Sequence, residues 1–287
     1  MHMTPIRAVF VIVITALLPL LSGCSISHAL RVEDRSSVDI RTMINEVDAV
    51  PVVFVGERHN EGEHHKVQLA VLQGLKAKGK TLAIGMEMFE AASQPALDDW
   101  SAGRITTNAF IEVYKKNWRN IAYWLYGDIF DFARDNHIPI IALNAPQFLV
   151  RKVSQQGFAS LTDTDKRLLP QNAATEISDQ YMEFIRLSYG VHGNNGEHFR
   201  TICEAQMLRN RVMADRIKEY HRLHPDVVIV VFAGGGHVRK QGGIPAELDN
   251  LPFKIIIPPI PGLSAQSIRA EDADFLLEEP FSLFDLL

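Results

Sequence analysis

Two apolar runs dominate the pattern of this chain. Val52-Val53-Phe54-Val55 and Val228-Ile229-Val230-Val231-Phe232 are unbroken β-branched and aromatic stretches with no polar face. Such runs suit strands buried on both sides, as in a parallel sheet covered by helices. Each stops at glycine and then delivers a histidine, through Gly56-Glu57-Arg58-His59 in the first and Gly234-Gly235-Gly236-His237 in the second. Between them the period changes. Val67, Leu69, Ala70, Val71, Leu72 and Leu75 give a helix a broad apolar side, with Asn60 and Glu63 spaced as a capping box and Gly79 as the stop. Thr81–Met86 reads as a second strand that delivers Glu87. Strand, helix, strand is a right-handed crossover unit. Glu87 is therefore expected at the same sheet edge as Glu57, His59 and His237.

Further along, Gln94 to about Trp124 reads as helix rich in Trp, Tyr and Asn, suited to a covering layer. A helix over Leu125–Asn136 and a strand over Ile138–Leu143 come next, with Asn144 at the strand end and Pro146 opening another helix. Gln155–Ala174 is polar and turn-rich and begins an inserted helical section around residues 158–200. Within it Asp179–Tyr189 reads as a helix, and Gly190, Gly193 and Gly196 break the helical pattern after Tyr189. His198–Tyr220 then predicts a long helix with Phe199, Ile202, Gln206, Met213 and Ile217 along one stripe. Gln206 is either a satisfied core amide or an inward-facing ligand contact. Phe253–Ile257 adds another strand, and the proline- and acid-rich tail after Pro258 is expected to wrap the surface. The expected fold is α/β, a mostly parallel central sheet flanked by helices with an inserted helical subdomain, in one domain over residues 38–287.

Composition and the N-terminus change the picture in two ways. A net charge of -5 and a pI near 6.1 argue against a nucleic-acid partner, which would demand a basic face. Arg7 followed by an apolar run from Ala8 to Leu21 reads as a secretory signal, shorter than the roughly 20 residues of a membrane span. It ends in Leu21-Ser22-Gly23-Cys24, which resembles a bacterial lipobox. Residues 1–23 are then a lipoprotein signal peptide, Cys24 carries the lipid (palmitate among its acyl chains), and residues 24–37 are a tether. Ser25 after the cysteine points to the outer membrane of a Gram-negative cell envelope. Acylation of Cys24 leaves Cys203 unpaired, in an apolar helical pattern that suits a buried small hydrophobe.

Glu57, His59, Glu87 and His237 are the candidate catalytic residues. Two imidazoles and two carboxylates could hold a divalent metal, act as a general acid–base set, or meet an anion beside the glycine amides. Glu87, next to Met88-Phe89, needs a partner because an unpaired carboxylate among apolar groups is costly. His64 and His65, on the first helix, are expected in solvent. No Gly-x-Ser-x-Gly elbow occurs, so hydrolysis, if any, would use activated water.

A second constellation runs from Tyr181 to His192. Tyrosine and histidine both ligate haem iron, and Phe184, Leu187, Met207 and Met213 could wall a flat macrocycle. Gly56-Glu57-Arg58-His59, Gly85-Met86-Glu87-Met88-Phe89, Glu204-Ala205-Gln206 with Met213-Ala214, and Gly234-Gly235-Gly236-His237 together resemble the ChaN-like family of iron-regulated lipoproteins. The wider group it resembles includes erythromycin esterases and the metal-dependent Tiki/TraB proteases. The resemblance implies haem held by Tyr181 with help from His192, with Tyr189 and His198 as substitutes and Gln206 nearby. It also implies a homodimer and a haem uptake receptor as partners. Asn210 departs from it, standing where the family tends to show an acid, and this weakens an enzymatic reading. The leading expectation is an outer-membrane-anchored haem-binding protein of iron acquisition; the alternative is a metal-dependent hydrolase at the sheet edge.

Overall fold

A computed structural model describes residues 25–171, 173–174, 176–189 and 196–279. One sheet of eight strands organises them, in the order β2-β1-β8-β7-β3-β6-β4-β5. The strands are β1 (His28–Arg31), β2 (Ser37–Asp39), β3 (Val52–Glu57), β4 (Leu82–Glu90), β5 (Ile140–Asn144), β6 (Val228–Gly234), β7 (Phe253–Ile257) and β8 (Phe275–Leu277). From β8 to β5 every pairing is parallel; β1 is antiparallel to both β8 and β2. β3 and β6 sit side by side in the middle, Glu57 opposite Gly234.

The lack of a polar face in the two central runs is explained by their neighbours. Val53, Val55, Val230 and Phe232 point into one apolar cluster, and Val52, Phe54, Ile229 and Val231 into another on the opposite face. The first cluster is closed by α1 (Ile40–Val47), α2 (Gly62–Ala77), α3 (Gln94–Ser101), α4 (Thr107–Asn117) and α5 (Gly127–Asp135). The segment expected as a mere cover is itself core: Trp100 stacks on Phe110 with centroids 4.3 Å apart, and Tyr114 and Phe130 are fully buried. Burial of aromatic rings on this scale contributes more to the core than most aliphatic contacts.

Between β5 and β6 lie α6 (Gln147–Gln156), α7 (Asp163–Lys166), α8 (Asp179–Tyr189) and α9 (Gly196–Leu223). α9 does not carry a single stripe. Phe199, Cys203 and Met207 pack toward α8, Ala205, Leu208 and Val212 toward α6, and Met213, Ala214 and Ile217 onto the sheet. A helix of 28 residues passes several surfaces, and its apolar side turns to meet each.

Three local expectations are corrected. The tether is not loose over its length: residues 28–31 are β1, with Ala29 buried against the sheet, and β2 begins at Ser37. The tail does not simply wrap the surface, because Phe275–Leu277 enter the sheet beside β7. The Asn60–Glu63 capping box does not form; α2 starts after Glu61 with no side-chain cap, and its first turn instead meets buried polar groups at the end of β3. The signal peptide and Cys24 lie outside the described residues. No helix among the described residues is long and apolar enough to cross a membrane.

Candidate functional site

The parallel sheet brings Glu57, His59, Glu87 and His237 to one edge. His59 Nε2 lies 3.9 Å from Glu87 Oε1, and His237 Nε2 lies 3.7 Å from the same oxygen. Both glutamates are only 1% exposed, so each must be satisfied by the protein.

Glu57 is held from three sides. His59 Nδ1 lies 2.6 Å from its Oε1, the Tyr126 hydroxyl donates to that same oxygen, and Gln68 Nε2 donates to Oε2 at 2.6 Å. Burial alone would raise its pKa, but the His59 bond, the neighbouring His65 and His59, and the Tyr126 phenol outweigh burial and hold it below the usual range. Tyr126 carries the reciprocal penalty: burial and the Glu57 charge push its phenol well above its ordinary value.

Glu87 is anchored differently. Arg209 Nη2 donates to Oε1 at 2.5 Å and the Gly234 amide donates to Oε2 at 2.6 Å. Despite burial, the charges of His237, Arg209 and His59 and the Gly234 bond drive its pKa far below the usual range. Arg209 also reaches Asn144 Oδ1 at 3.1 Å, and Asn144 Nδ2 donates to the Glu87 carbonyl at 2.8 Å. Space at Gly234 is tight: a Cβ there would stand 3.1 Å from His59 Nε2 and 3.6 Å from Glu87 Oε2, so any larger residue must displace the His59 ring.

The two histidines are not equivalent. Burial lowers the pKa of His59, but Glu87 and the Glu57 bond and charge outweigh burial and Arg209, and the net shift is upward. Burial also lowers that of His237, and with Arg209 and His59 against it Glu87 cannot compensate; it falls to about 4. His237 Nδ1 faces Asn210 Oδ1 at 2.5 Å. The edge therefore holds one imidazole of raised basicity and one that stays neutral at neutral pH. Trp118 lies edge-on to His59, ring centroids 5.0 Å apart.

His64 and His65, expected in solvent, are 0% and 3% exposed. His65 Nδ1 meets Gln68 Oε1 at 3.0 Å and its Nε2 meets the His59 carbonyl at 3.2 Å, which fixes the amide that holds Glu57. His64 Nδ1 accepts from the Arg58 amide at 2.9 Å, and its Nε2 meets Glu279 at 3.0 Å. Gln68 and Tyr126 were missed in the sequence. Gln68 had a signal, three residues after His65 on the same helical face; Tyr126, among aromatic core residues, had none.

Among the described residues no cluster of three or more His, Cys, Asp or Glu side chains is arranged to hold a metal ion. The carboxylate oxygens are already engaged by Tyr126, Gln68, Arg209 and Gly234. The edge is built as a hydrogen-bonded acid–base set. Cys203 is buried as expected, its thiol pushed up to about 11 by burial, and no nucleophile.

The Tyr181 constellation lies elsewhere, on α8. Tyr181 packs among Ile177, Phe184, Ile185, Phe199, Cys203 and Met207, its hydroxyl buried. Arg239 lies 4.2 Å over the Phe184 ring and Arg186 lies 4.7 Å over Phe199. The cluster is apolar and aromatic, with a phenol inside and guanidinium groups at its margin, and such walls suit a flat macrocycle. Gln206 Oε1, on the adjoining turn of α9, is buried without a hydrogen-bond partner among the described residues. His198 is exposed, Tyr189 ends α8, and His192 lies outside the described residues.

Residues 43–248 match the family model for haem-binding uptake proteins of the Tiki superfamily, ChaN. The chain belongs to the ChaN family. A structure of ChaN from Campylobacter jejuni with cofacial haem superposes with a TM-score of 0.68, covering 87% of this chain and 95% of that one at 18% identity, a likeness of fold. An erythromycin esterase in its open conformation gives 0.46, covering 76% of this chain and 72% of that one at 14% identity. The chloroplastic Arabidopsis thaliana protein RETICULATA-RELATED 5 is 20% identical over 191 residues, 64% of this chain; the chain spans about a quarter of that protein's length.

Proposed function

We propose that this ChaN protein binds haem, with Tyr181 as the iron ligand and His192 assisting, and that it does so as a lipid-anchored protein of the outer membrane serving iron acquisition. Family membership carries the reading. The aromatic cluster around Tyr181, edged by Arg186 and Arg239, supports the placement. Bound haem supplies a Lewis-acidic iron that a phenolate satisfies well. The chain's own part is to wall the macrocycle and offer the phenol oxygen. Haem bridging two copies and hand-over from an uptake receptor belong to the same reading. Titrating haem into residues 24–287 carrying Cys24→Ser should give a Soret band. That band should shift or weaken in Tyr181→Ala and His192→Ala, and an unchanged spectrum in both would refute the ligand assignment. Loss of acylation and of membrane fractionation in Cys24→Ser of the full chain tests the anchor.

A second reading is favoured by the Glu57–His59 pair. A buried carboxylate locked by Tyr126 and Gln68 orients an imidazole of raised pKa whose Nε2 faces the cleft. That is the geometry of a general base for activating water in ester or peptide hydrolysis. Turnover on an ester panel that vanishes in His59→Ala, with the Soret band intact, would establish it; no turnover in the native chain would remove it.

A further inference from the structure

Asn210, noticed in the sequence as an amide in place of an acid, occupies a junction. Its Nδ2 donates to the Gly242 carbonyl at 2.8 Å, and its Oδ1 faces His237 Nδ1 at 2.5 Å. A carbonyl oxygen only accepts, so the amide nitrogen must face Gly242 and the amide oxygen must face the histidine. The proton of His237 is thereby placed on Nδ1, and the Nε2 lone pair is left on the side of Glu87 Oε1, 3.7 Å away.

Gly242 is itself pinned from the other side. Its φ of +72° is left-handed, and a Cβ there would stand 2.9 Å from Phe184 Cδ1 and 3.1 Å from Tyr181 Cδ2. Its peptide thus lies directly beneath the two rings of α8. The loop between has little slack, because a Cβ on Gly243 would meet the carbonyl oxygens of Arg239 and His237. One chain of contacts therefore runs from Tyr181 through Gly242 and Asn210 to His237.

We propose that Asn210 is a positioning residue that fixes the tautomer of His237 and ties it to the seating of Tyr181 on Gly242, so that withdrawal of Tyr181 toward a haem iron loosens the hold on His237. The second half of this rests on the haem reading above. The groups that face His237 are Glu87 from β4, Arg209 from α9 and His59 from the loop after β3. None of them bonds Nδ1, so the tautomer depends on Asn210.

Two-bond proton–nitrogen spectra of 15N-histidine-labelled residues 24–287 with Cys24→Ser test this directly. In the native sequence His237 should show the Nδ1–H neutral tautomer, with no titration between pH 5 and 8. Asn210→Asp should bring its titration up by at least one pKa unit, roughly tenfold in proton affinity. Asn210→Ala, with native circular dichroism, should lose the Nδ1–H preference. A native His237 that titrates near the usual imidazole value, or one indifferent to both variants, overturns the positioning role. Gallium protoporphyrin IX, diamagnetic and fluorescent, tests the link to Tyr181. Binding that moves the His237 nitrogens, mimicked without porphyrin by Tyr181→Ala, supports it. Binding with His237 unmoved overturns the link. Absence of binding is the failure of the haem reading and leaves the tautomer result standing.

Discussion

Arg209→Met is the sharpest test of how the cleft is held together. The substitution keeps the aliphatic stem and removes the guanidinium that pairs with Glu87 at 2.5 Å and with Asn144 at 3.1 Å. Glu87 is almost fully buried, so losing this partner strands a carboxylate whose remaining support is the Gly234 amide and the more distant His237 and His59. Breaking a buried pair from one side costs about 3–5 kcal/mol. For a chain of this size that is a fall in Tm of roughly 5–8 °C. The sign of the pH dependence follows from the downward shift of Glu87. A depressed carboxyl contributes stability above its unfolded pKa of about 4.3 and loses it as pH falls through the folded value. Without Arg209 that pKa rises, so the gap between native and variant protein should be widest near neutrality and narrow below about pH 4.3. Adding Glu87→Gln should recover most of the loss, because no buried charge is then left. Urea melts of the four proteins from about pH 2.5 to 8 provide the cycle. A native-like Arg209→Met, or a deficit that ignores both pH and the second substitution, would refute the reasoning.

The same contacts set three further outcomes. Tyr126→Phe removes the phenol that donates to buried Glu57 and should cost about 1.5–3 kcal/mol, as for other bonds to charged groups, measured by urea denaturation. His59, whose pKa is raised, stabilises the fold fully below about pH 6.5 and loses that contribution as pH rises through the folded value; His59→Gln should accordingly cost more at pH 6 than at pH 8.5. Gly85→Ala would put a Cβ 2.9 Å from Leu143 Cδ1 in a filled core and should cost about 1–3 kcal/mol, read as a lower melting temperature.

How much of this was legible depended on the length of the element. The runs Val52–Val55 and Val228–Phe232 announced central strands because both faces of each are buried, and their glycine–histidine endings placed His59 and His237 at one edge. β1, β2 and β8 were missed because strands of three or four residues, flanked by Arg31, Ser37 and acids, carry no period to read. Their place is set by tertiary pairing, Ala29 opposite Leu277. His64 and His65 were misjudged by their polarity. They sit where the first turn of α2 meets the Arg58 amide, the His59 carbonyl and the amide that holds Glu57, buried groups that only polar side chains can satisfy.

Arg209 and Asn210 show what a helical pattern conceals. Neighbours in sequence point about 100° apart on a helix, yet here one reaches Glu87 at the end of β4 and the other His237 just after β6. Gln206 had marked the face, and Arg209 and Asn210 lie three and four residues beyond it, within reach of a sequence reading that tracks polar rather than apolar spacing. The amide at 210 also sets the charge of the cleft. Glu57 and Glu87 are held as carboxylates beside Arg209 and a His59 of raised basicity, while His237 stays neutral. An acid at 210 would add a third negative charge, and the only group placed to answer it is His237, 3.7 Å from Glu87. It would take up a proton and lose the lone pair on Nε2. An amide at 210 therefore keeps His237 neutral where an acid would draw a proton onto it, a choice made by one buried side chain.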